Sequence, residues 1–109
     1  MIHLSDKKCV ACEGGTPPLT TEEIQNLKPQ IPSWDVAADE KSIAREFAFK
    51  NFKEALAFVN KVGEIAESEG HHPDLNLHNY KKVLVTLSTH AIHGLSENDF
   101  IVAAKIDKI

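Results

Sequence analysis

With 109 residues, 42% of them hydrophobic and 26% charged, the chain has material for one compact domain with little stability to spare, which makes homo-oligomerisation an expected source of further burial. Its formal net charge is −4 and its lysines are spread along the chain, which argues against a nucleic-acid footprint. No apolar run approaches the ~20 residues of a membrane span, and Met1 to Lys8 lacks the basic-then-apolar layout of a secretion signal, so a soluble cytoplasmic protein is expected.

Met1 to Pro18 reads as an irregular leader, with Gly14-Gly15, Pro17-Pro18 and little periodicity. It holds both cysteines, Cys9 and Cys12. A lone pair at this spacing fits half of a shared zinc site, a redox pair, or an ordered turn with idle thiols, the last being favoured. The domain proper is expected over residues 19–109. Its first helix starts at Thr20, where Glu23 sits at capping-box spacing and Leu19 and Ile24 occupy staple positions, and it ends at Pro29 and Pro32. From Trp34 to Phe49 the pattern shortens to alternation, with Ile43, Phe47 and Phe49 opposite Ala44, Glu46 and Ala48. Two strands fit, turning near Asp39-Glu40.

Asn51 offers an N-cap, and Phe52, Ala55, Leu56, Val59, Val62 and Ala66 follow at helical spacing until Gly70 supplies a stop. Leu75 to Leu87 alternates again, predicting two more strands with a turn around Lys81-Lys82. Ser96 and Asp99 then stand in reciprocal capping positions, with Leu95 and Phe100 as the staple, ahead of a C-terminal helix. The order α-β-β-α-β-β-α predicts an α+β domain: a four-stranded, mostly antiparallel sheet with three helices on one face.

Six histidines are present. His71-His72-Pro73 follows the stop of the long helix, and Pro73 disfavours helical backbone at His72, so the pair lies on an extended exit. His90 lies past the final strand. Pro73 and His90 are about equally far from the hairpin turn, so antiparallel pairing lets His71, His72 and His90 converge at one end of the sheet. Neighbouring imidazoles separate one another's titrations and supply both an acid and a base. Three histidines also suit zinc, although neither an HExxH pattern nor a downstream cysteine pair accompanies them. Solvated loop histidines are the bland alternative. His78, on the face opposite Leu75 and Leu77, and His93, before Gly94, have no evident partner.

The longer pattern Glu67-x3-His71-His72-Pro73-x6-Tyr80-x9-His90-x8-Asp99 resembles the signature of the pterin-4a-carbinolamine dehydratase family. The resemblance extends in outline over Leu19 to Ile109, and Trp34 stands where the family has an active-site tryptophan; a core or edge tryptophan is the alternative reading of its residue type. It implies dehydration of 4a-hydroxytetrahydropterin to quinonoid dihydropterin after aromatic amino acid hydroxylation. It further implies His71 and His90 as general acid/base residues, His72 and Trp34 as pterin-binding residues, no metal or other cofactor, a homodimer or homotetramer, and a functional link to a hydroxylase. Glu67, one helical turn before His71, either orients or charges it or is a solvated acid on the helix surface. Pro73 and Asp99 are expected to support the site, and Tyr80 to pack near the hairpin turn. Some family members also serve as dimerisation cofactors of a homeodomain transcription factor. A non-catalytic interaction protein of the same fold is therefore the alternative function, and a zinc protein a further one.

Overall fold

The computed structural model describes residues 3–10 and 16–109; Cys12 and Gly14-Gly15 lie outside the described residues. Helix α1 spans Thr21–Leu27, α2 Phe52–Glu69 and α3 Glu97–Ile106, and strands β1 Asp35–Val36, β2 Ile43–Ala48, β3 Asp74–His78 and β4 Lys82–Leu87 form one sheet. The strand order is β1-β2-β4-β3 and each pairing is antiparallel. The expected α+β order is present, with short 3-10 turns added at Leu4–Asp6, Lys28–Gln30 and His90–Ile92.

The local signals act as the sequence implies. The Thr20 hydroxyl accepts from the Glu23 amide at 3.2 Å, and the Thr20 amide donates to the Glu23 carboxylate at 2.9 Å, closing the capping box of α1. Asn51 Oδ1 caps α2 by accepting from the Glu54 amide at 2.9 Å. Alternation along β4 buries Val83, Val85 and Leu87 and leaves Lys82, Leu84 and Thr86 partly open. The buried set joins Ile43 of β2, Ile24 of α1, Ala55, Phe58 and Val62 of α2, and Phe100 to Ala104 of α3 in one core. The helices therefore cover one face of the sheet. None is long and apolar enough to cross a membrane among the described residues.

Three details differ from expectation. The β3-β4 turn is made at Asn79 and Tyr80, both at positive φ (49° and 53°), just before Lys81-Lys82. Asparagine tolerates that backbone region better than lysine, and this supplies the turn chemistry that Lys81-Lys82 lacks. On α2 the buried stripe is Ala55, Phe58, Val62 and Ala66, while Phe52 and Leu56 are 49% and 43% exposed. The apolar arc of α2 is wider than the sheet it covers. Finally, His78 is not alone: its Nε2 lies 2.6 Å from Glu46 Oε1, reaching from β3 across β4 to β2 on the open face of the sheet.

Residues 3–10 of the leader are docked on the domain. Leu4 is buried in the core, and its amide donates to Gln30 Oε1 at 2.9 Å. Lys7 pairs with Glu97 at the start of α3.

Candidate active site

Each histidine of the cluster is delivered by a distinct backbone device. Helix α2 ends in a left-handed Gly70 (φ 65°), whose amide donates to Glu67 O while the His71 amide donates to Ala66 O. This double closure turns the chain sharply and sets His71 and His72 at the helix exit. β3 then pairs Asp74 with Thr86, which lays the start of β3 beside the end of β4 and hence beside Ser88 to His90. His90 itself opens a 3-10 turn pinched between Thr89 and Gly94, whose backbones bond in both directions. A Cβ at Gly94 would stand 2.7 Å from Pro18 Cβ, so the loop that carries His90 closes only around a glycine.

His71, His72 and His90 line one cavity of about 420 Å³ with Val10, Gly70, Ser88, Thr89, Ala91 and Asn98. The convergence expected from hairpin topology is therefore present. His71 is nearly enclosed, and its Nε2 donates to Asp99 Oδ1 at 2.6 Å. Asp99 is fully buried, and its Oδ2 accepts from the Thr89 hydroxyl (2.8 Å) and the Ser96 amide (3.0 Å). The carboxylate that caps α3 thus also orients the histidine at the exit of α2. A carboxylate bonded at Nε2 holds that proton in place and leaves Nδ1 as the nitrogen able to exchange one.

Glu67, the expected partner of His71, meets His72 instead, at 2.6 Å, and both side chains are largely exposed. The reason is Gly70: its left-handed backbone ends the helical register, so the one-turn relation between Glu67 and His71 does not carry past it. Pro73 is half-buried at the entry to β3, and Tyr80 is 60% exposed at the other end of the hairpin. Trp34 is not brought to this cavity. It is wholly buried, its indole N–H donates to Asp107 Oδ1 at 2.9 Å, and its ring meets Phe47 edge-on. Phe47, Phe49 and Phe58 continue that aromatic cluster and wall a separate cavity of about 450 Å³ that holds no histidine.

Cys9 and Val10 escaped the sequence reading as site neighbours. The Cys9 amide donates to Glu69 Oε1 at 2.9 Å, and Lys105 holds the other oxygen of Glu69 at 2.9 Å. The amide bond and the lysine keep the Glu69 carboxyl below its usual range. Burial, together with the neighbouring Glu69 charge, pushes the Cys9 thiol from 9.0 up to about 12. Such a thiol is a poor nucleophile at neutral pH. In a Cys12→Ser chain, iodoacetamide should therefore modify Cys9 at pH 7.5 at least roughly a hundredfold more slowly than in urea-unfolded chain, since a rise of this size removes about a thousandfold of thiolate. Mass spectrometry over time measures both rates.

Comparisons with known proteins show the family of the chain. A family model described as pterin 4 alpha carbinolamine dehydratase matches residues 17–109. A protein of Rubrobacter xylanophilus named "Putative pterin-4-alpha-carbinolamine dehydratase" is 49% identical over the full length of both chains. One of the same name from Alkaliphilus metalliredigens is 52% identical over 99% of this chain and 96% of its own. Among solved structures, a transcriptional coactivator/pterin dehydratase from Brucella melitensis superposes with a TM-score of 0.77 at 32% identity, covering 84% of this chain and 96% of that one. A pterin dehydratase-like protein identified as a RuBisCO assembly factor in the alpha-carboxysome gives 0.59 at 25% identity, covering 70% and 87%. With its helix-exit histidines, its strand-end histidine and its sequence matched over the whole domain, the chain belongs to the pterin 4 alpha carbinolamine dehydratase family.

Proposed function

We propose that the chain is a hydro-lyase that converts 4a-hydroxytetrahydropterin to quinonoid dihydropterin and water, in tetrahydropterin recycling after aromatic amino acid hydroxylation. The observation that carries the reading is the gathering of His71, His72 and His90 around one cavity, with His71 oriented by a buried carboxylate. Hydroxide is a poor leaving group, so the C4a–O bond breaks as an imidazolium protonates the departing oxygen. The N5 proton passes to a neutral imidazole as the C4a=N5 bond forms, and water leaves. His71 and His90 take the acid and base roles, His72 binds the ring, and Glu67 holds His72. Asp99 and Pro73 shape the site, and Trp34 contributes through the core it fills. The nitrogen lone pair assists expulsion, so acid and base complete the chemistry.

Freshly generated 4a-hydroxytetrahydropterin, followed by its absorbance with and without the protein, tests the proposal. Acceleration of roughly a hundredfold or more is expected from one positioned acid and one base. No acceleration overturns it. The carboxysomal neighbour of the same fold favours a second reading, a non-catalytic interaction protein; partner binding without dehydratase activity would select it. Self-association as a homodimer or homotetramer, a cytoplasmic location and a link to a hydroxylase belong to the same proposal. The exposed Phe52 and Leu56 of α2 support the first of these.

A further inference from the structure

We propose that Val10, held in place by Asn98, is a pterin-binding residue that supplies the apolar wall of the histidine cavity. The inference rests on the dehydratase reading and adds to it a part of the chain that lies before the matched domain at residues 17–109. The lining of the cavity contains three imidazoles, polar Ser88, Thr89 and Asn98, and small Gly70 and Ala91; Val10 is its one larger aliphatic side chain among the described residues. Trp34 is absent from that lining, so the apolar contact that a flat heterocycle requires falls to Val10.

The leader is built to present this side chain. Asn98 Oδ1 accepts from the Val10 amide at 3.1 Å, and Asn98 Nδ2 donates to the Val10 carbonyl at 2.5 Å. One carboxamide thus satisfies both backbone groups of a single residue, as a neighbouring strand would. One residue earlier, the Cys9 amide is tied to Glu69, two positions before His71, and Asn98 directly precedes Asp99. The strap is therefore anchored on the same two helix ends that position and orient His71. Its backbone is fixed while the Val10 side chain remains 72% exposed. A side chain this exposed on a backbone this constrained has apolar surface available for a ligand at little ordering cost.

The test measures the dissociation constant of 7,8-dihydrobiopterin, a stable pterin, by calorimetry for the wild type, Val10→Ser and Val10→Leu, with the melting temperature of each. Val10→Ser should bind roughly five- to tenfold more weakly, which is the loss expected for part of one valine side chain. Its melting temperature should stay at the wild-type value, because the side chain contributes little to the core. In turnover the same factor should appear in KM, with kcat retained. Val10→Leu should restore binding to within about twofold of wild type. A wild-type dissociation constant for Val10→Ser overturns the inference and leaves the dehydratase reading standing. Failure of the wild type to bind the pterin overturns both.

Discussion

Replacing His71 and His90 together with alanine is expected to remove the acceleration of 4a-hydroxytetrahydropterin dehydration proposed for this chain, a loss of about two to four orders of magnitude. Both imidazoles line the same cavity, and no aspartate, glutamate or cysteine is among its described lining residues; Asp99, which meets His71, is fully buried. The single variants should each lose most of the rate, and their losses should not multiply in the double variant, because an acid and a base acting in one step fail as a unit. The two sites differ in what else they disturb. His90 is exposed on its 3-10 turn, so His90→Ala should keep the wild-type melting temperature. His71→Ala leaves the buried Asp99 without its Nε2–H partner and should melt earlier. Rate loss in the thermally intact His90→Ala chain is thus the decisive measurement; full activity there would sink the acid/base assignment.

The fold was legible because its punctuation is chemical. Thr20 with Glu23, Asn51 with Glu54, and Gly70 at a left-handed position each announce a helix end by a bond the backbone needs, and each is made. The meeting of His71, His72 and His90 was legible for the same reason, since an antiparallel hairpin fixes which strand ends are neighbours. What lay beyond reading was partner choice after a break in register. Glu67 and His71 stand one helical turn apart, yet Gly70 turns His71 toward α3 and gives Glu67 to His72. Trp34 carries no mark in its sequence surroundings that its N–H is satisfied by Asp107, 73 positions away. The leader has little periodicity, so the docking of Leu4, Cys9 and Val10 depends on Gln30 in the turn after α1, Glu69 of α2 and Asn98 of α3. Asn98 was hidden differently: in the first turn of a helix it reads as a surface residue, whereas it is buried and bonded to the leader.

Asp99 is the residue where fold and chemistry cannot be separated by inspection, and two substitutions separate them. Asp99→Ala deprives the Ser96 amide, the Thr89 hydroxyl and His71 of an acceptor in a site without solvent, and should cost about 2–4 kcal/mol, or roughly 10–20 °C in Tm. Asp99→Asn keeps the volume and one carbonyl oxygen, so it can still accept from part of this set and should lose less stability. It cannot keep the charge: a neutral amide oxygen is a weaker acceptor for the His71 Nε2–H than a carboxylate. If the carboxylate only supports the fold, activity of Asp99→Asn assayed well below its Tm should match the wild type. If it orients His71, kcat should fall by roughly a hundredfold while dihydrobiopterin still binds. A loss of dihydrobiopterin binding in step with kcat would count against the orienting role and leave Asp99 as a cap that happens to touch His71.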